Sequence, residues 1–127
     1  MPTQSSFDYA LVRLAPRVER EEFMNVGVIL FCRTRKFLEA RLALDQERLA
    51  ALAPNLDPTE IQDHLDLIPR LCAGGPEAGP IGCLSQAERF HWLVSPRSTV
   101  IQISAVHCGL CTDPQAALEG LFKQLVL

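Results

Sequence analysis

The chain reads as an α+β domain, with a mostly antiparallel five-stranded sheet (two hairpins plus an N-terminal strand) packed by two to three helices. Three observations predict this. Residues 23–32, FMNVGVILFC, form the longest apolar stretch, and the charges lie just outside it, as a strand buried on both faces requires. Period-two alternation recurs on either side of that stretch. Two Asp-Pro pairs, Asp57-Pro58 and Asp113-Pro114, each open a segment whose apolar period is three to four, the pattern of a capped amphipathic helix. The 127 residues fit one domain, 1–127, and with 48% hydrophobic and 21% charged residues such a chain buries a core without needing a staple.

The elements follow in order. Residues 7–14 alternate Phe7, Tyr9 and Leu11 against Asp8, Ala10 and Val12, a first strand that Ala15 and Pro16 break. The central strand spans residues 25–32. In it Val26, Val28 and Leu30 face one side and Ile29 and Phe31 the other, while Gly27 interrupts the β-branched run and marks a bulge or a close backbone approach. A basic turn, Arg33 to Lys36, leads into a third strand at 37–44, whose outward Glu39 and Arg41 place it near an edge or give it one wet face.

Asp45 then caps a short helix with Leu49 and Leu52, ended by Pro54. The better helix starts at the Asp57 cap and aligns Ile61, Leu65, Ile68 and Cys72; Pro69 is expected to kink or end it. Residues 74–82, GGPEAGPIG, read as a loop. Ser85 with Glu88 caps one helical turn. Residues 90–94, FHWLV, then read as a strand, and with a further strand at 100–106 they make a second hairpin whose tip presents Arg97. Ala117, Leu118, Leu121, Phe122 and Leu125 form the stripe of a terminal helix.

Charge and cysteine usage narrow the function. A net charge of −3 argues against a domain that neutralises a phosphate backbone, so nucleic acid is disfavoured as a partner. No apolar run approaches the roughly 18 to 20 residues of a membrane span, and the start MPTQSSFDY has no basic and apolar leader, so the expected location is the cytoplasm and no membrane partner is expected. Five scattered cysteines suit free thiols in a reducing compartment.

Cys108 and Cys111 in VHCGLC are the lesser candidates for a metal or redox pair. They lack a second pair at similar spacing, and the reading is that no metal and no cofactor is bound. The glycine loop lacks the lysine and hydroxyl of a phosphate-binding loop. The three histidines, His64, His91 and His107, share no metal-ligand spacing. The better candidate is a polar rim at the mouth of the central strand, formed by Glu19, Arg20, Glu22 and Asn25, because strand ends commonly carry binding sites. Arg97 and Ser98, on the tip of the second hairpin, complete it. Arginine's planar fork suits a carboxylate, and Arg97 is expected to reach Glu19 or Glu22 and lock the hairpins together.

Several stretches together carry a resemblance. These are YALVR at residues 9–13, VEREEFMNVGVILF at 18–31, CAGGPEAGPIG at 72–82, FHWLVSPRSTVIQ at 90–102 and VHCGLCTDPQAAL at 106–118. Along nearly its whole length the chain resembles a bacterial family, domain of unknown function 3037. By position the motif residues are Glu19, Arg20, Glu22, Asn25 and Gly27, then Arg97, Ser98 and Thr99. The resemblance implies no chemistry. It implies a protein partner, a HipA-like kinase, since members are often encoded beside one. The function expected is therefore that of a non-catalytic protein-interaction or accessory module, with self-association as a further partner expectation. The alternative is a small-ligand-binding protein or an enzyme that uses the rim around Glu19, Asn25 and Arg97.

Overall fold

A computed structural model describes residues 3–17, 22–95 and 100–127, with the backbone alone at Pro16, Arg17 and Glu22. Its architecture is α+β, a five-stranded antiparallel sheet with four helices. Strand β1 (Ser5–Arg17) pairs with β2 (Glu22–Cys32), and β2 pairs with β3 (Phe37–Leu42). The opposite edge of β1 is long enough for two short strands: β4 (Ile101–Ile103) lies along Val12 to Leu14, and β5 (His107–Cys111) along Ser5 to Tyr9. Between them Ser104 patches the ladder. Its buried hydroxyl accepts from the Leu11 N–H at 2.8 Å and donates to the Ala105 carbonyl at 2.9 Å.

The helices cover both faces. On one, α1 (Gln46–Leu52), α2 (Pro58–Ala73) and α3 (Gln86–Leu93) close a core that includes Leu14, Ile29, Leu65 and Phe90. On the other, α4 (Pro114–Leu125) sets Leu118 and Phe122 on Phe7, Val28 and Leu30. The expected aspartate caps are in place: Asp45 accepts from Arg48 N–H, Asp57 from Thr59 N–H and Asp113 from Gln115 N–H. Central strand β2 is interior, as expected, and Val26 to Leu30 have no measurable exposure among their apolar side chains.

The bulge expected at Gly27 is present, and it corrects the face assignment. Val12 pairs with Gly27 and Arg13 with Asn25, so Val26 is the extra residue on β2. The extra residue flips the alternation. Val26 therefore joins Ile29 and Phe31 under α2, while Val28 and Leu30 face α4. Glycine is required at 27 because a Cβ there would meet the Leu42 side chain and lie 2.9 Å from the Arg41 carbonyl oxygen.

Four further expectations are corrected. Strand β1 continues through Ala15 and Pro16 to Arg17, where the pairing with β2 shifts register, the irregular setting in which a strand tolerates proline. Helix α2 continues through Pro69 to Ala73; a face carrying Ile68, Leu71 and Cys72 into the core holds the last turn despite the lost hydrogen bond. The segment read as a loop at residues 74–82 holds one short 3₁₀ turn, Pro76–Ala78, and the start of a second, Ile81–Cys83. Residues 90–93 are helical, so the hairpin expected over residues 90–106 does not form. The Ser85–Glu88 capping box launches α3, which buries Phe90 and Leu93 at helical spacing and leaves Trp92 partly exposed. The fifth strand is instead the VHCGLC segment, and β4 and β5 pair with β1 rather than with each other.

Candidate functional site

A groove of about 430 Å³ with an apolar lining lies where α2, α3 and the start of β4 meet. Helix α2 supplies its floor because residues 57, 60, 61, 64, 67, 68 and 71 recur at helical spacing on one side of it. Ile61, Ile68 and Leu71 sink into the core beneath, whereas Leu67 stays 50% exposed on the lip. Trp92 of α3 forms the opposite lip at 41% exposure, and Val100 and Ile101 close the far wall. The ionisable lining gathers on the first half of α2: Asp57, Glu60 and His64. Asp57 is already engaged as the helix cap, through its bond to the Thr59 N–H at 2.9 Å. The groove thus offers an apolar trough with an acidic end.

Of the expected polar rim, only Asn25 has a described side chain, and it lies at the bulge of the β1–β2 pair. Glu19, Arg20, Arg97 and Ser98 lie outside the described residues, as does the side chain of Glu22, and so does the expected Arg97 contact. Asn25 faces α4 rather than open solvent. Its Nδ2 donates to the Leu125 carbonyl at 3.1 Å, which ties the last turn of α4 to β2, and its buried Oδ1 has no partner among the described residues. Across the strand pair, the guanidinium of Arg13 stacks on the Phe23 ring at 4.4 Å. Among the described residues, Arg13, Phe23 and Asn25 do not line the groove.

The two cysteines of VHCGLC stand three residues apart on an extended strand, so their side chains leave opposite faces. Cys108 is exposed and Cys111 buried. They are not arranged to share one ion, and among the described residues no cluster of three or more His, Cys, Asp or Glu side chains is placed to hold a metal. The Cys108 thiol donates to Asp8 Oδ1 at 3.2 Å; that bond, then the carboxylate charge, pushes its pKa up and disfavours the nucleophilic thiolate. Burial, followed by the neighbouring Cys32 thiol, raises that of Cys111. All five thiols are free.

Sequence reasoning missed Arg89, which is 8% exposed in α3. Its guanidinium lies against Gly74 at the C-terminal end of α2, and Nη1 reaches the Gly82 carbonyl at 3.4 Å. A positive charge is favoured at that end of a helix. The signal was available, since Arg89 shares a helical face with Leu93 and adjoins Phe90, but it becomes visible only once residues 86–93 are read as a helix.

Among the described residues no helix is long and apolar enough to cross a membrane. No match was found among curated proteins or among solved structures. One family model does match, and it spans residues 9–126, nearly the whole chain. The chain belongs to that family, described as protein of unknown function (DUF3037).

Proposed function

We propose that this domain is a non-catalytic interaction module whose groove between α2, α3 and β4 seats an apolar segment of a partner protein, with a basic residue of that segment at the Asp57–Glu60 end. The observation that carries this reading is the pairing of two large apolar lips, Leu67 and Trp92, with the carboxylates of the described lining gathered at one end. Exposed apolar side chains around a concave floor mark a docking surface more often than a solvated one. A HipA-like kinase is the partner that the resemblance implies. Five free thiols and a chain without a membrane-length apolar helix among the described residues support action in the cytoplasm.

Trp92 is the chain's single tryptophan, so its emission reports on the groove directly. Titration with a HipA-like kinase is expected to shift Trp92 emission to shorter wavelength as water leaves the indole. Leu67→Glu, which changes a lip residue without touching the core, is expected to weaken the affinity at least about tenfold, equivalent to ~1.4 kcal/mol. A kinase that binds wild type and Leu67→Glu equally rules out the groove. A kinase that does not bind wild type rules out the partner.

A further inference from the structure

The two edges of the sheet are protected unequally. At the β3 edge, Glu39 is exposed, Arg41 pairs with Glu119 at 3.4 Å and covers the Phe122 ring, and the Gln86 side chain donates to the Lys36 carbonyl at 2.9 Å. Charges of this kind stop an edge from recruiting another strand. The β5 edge, His107–Cys111, has no acidic or basic residue beyond His107 and no Pro. It hydrogen-bonds to β1 on one side, and no described strand lies on the other. Leu110 is 66% exposed, and Val106, just before the strand, is 42% exposed. Thr3 and Ser5 at the start of the chain are drawn the other way, by hydrogen bonds from Arg35 in the β2–β3 turn.

We propose that β5 pairs antiparallel with β5 of a second copy of this chain, about a two-fold axis at Gly109. A second copy is the occupant because the strand is self-complementary in that register. Gly109 faces Gly109, and each Leu110 lies across from the other chain's Cys108 on the same face of the joined sheet. Charge points the same way. At net −3 the chains repel each other, and this edge lets them meet without bringing two formal charges together. Pairing of two five-residue strands buries less than the roughly 1,200 Å² of a stable complex, so the dimer forms in a concentration-dependent manner.

Sedimentation velocity over a range from low micromolar to near millimolar tests this. Wild type is expected to move from monomer to dimer. Leu110→Lys, which puts a charge on an exposed edge position, is expected to stay monomeric with an unchanged circular dichroism spectrum and melting temperature. In Leu110→Cys, diamide takes two electrons and two protons from the new thiol and Cys108 of the other copy, and a covalent dimer is expected; adding Cys108→Ser abolishes it. A wild-type monomer at every concentration, a dimer that survives Leu110→Lys, or crosslinking that persists without Cys108 would each overturn the proposal.

Discussion

The guanidinium of Arg89 occupies the space into which a side chain at Gly74 would project, so the end of α2 and the middle of α3 are fitted through one glycine and one arginine. Gly74 also has φ +76°, the left-handed region that glycine enters without steric cost. Gly74→Ala is expected to cost about 1 to 3 kcal/mol in urea unfolding, from backbone strain together with the clash. In a double-mutant cycle, Arg89→Ala should relieve part of that loss, because the clash disappears and the strain remains.

Asn25 anchors α4 through its amide rather than through charge. Asn25→Ala is expected to destabilise by ~1 kcal/mol. Asn25→Asp should be worse than alanine above the carboxylate pKa, since it removes the donor and points an anion at the Leu125 carbonyl. Chemical denaturation of the two variants at neutral pH checks the order; equal losses would show that the bond to Leu125 is not what matters.

Asp8 restrains the Cys108 thiol. Asp8→Asn removes the charge that repels the thiolate and weakens the acceptor of the thiol proton, so the Cys108 pKa falls toward its ordinary value. The rate of iodoacetamide labelling at Cys108, followed by peptide mass spectrometry at mildly alkaline pH, is expected to rise several-fold in the variant.

Cys72 gives a pH signature. Burial pushes its thiol from 9.0 up to about 12, partly offset by Arg89. A folded pKa above the unfolded one means that this contribution is complete below 9.0 and is lost as pH rises toward about 12. The melting temperature of wild type should therefore drop more steeply than that of Cys72→Ala between pH below 9.0 and a pH midway to 12.

Where local chemistry decided the structure, the sequence was legible. The caps at Asp45, Asp57 and Asp113, the buried β2 and the Gly27 bulge were all readable from short patterns. Residues 90–93 were not, because Phe90, Trp92 and Leu93 fit a strand or a helix equally well, and the capping box upstream decides between them. β5 was hidden by a glycine and two cysteines that drew attention to metal chemistry; its strand form comes from pairing with β1, about a hundred residues earlier. The two prolines tolerated at 16 and 69, and the inverted face of Val26, are likewise settled by tertiary packing. Of the expected rim residues, Asn25 lies within β2 rather than at its mouth, and its amide turns toward α4. The groove was not anticipated at all, since its two lips come from separate helices, one of them read as a strand.

The long β1 has a consequence for how the protein is made. One of its edges is filled by β2, which follows directly, but the other waits for residues 101–111, far later in the sequence. As synthesis proceeds from N- to C-terminus, β1, β2 and β3 leave the ribosome with an edge of β1 that only β4 and β5 can close. The sheet is therefore incomplete until translation has passed residue 111, and a transcript cut short before β4 yields a product with an open, apolar strand edge, the form that aggregates or is degraded.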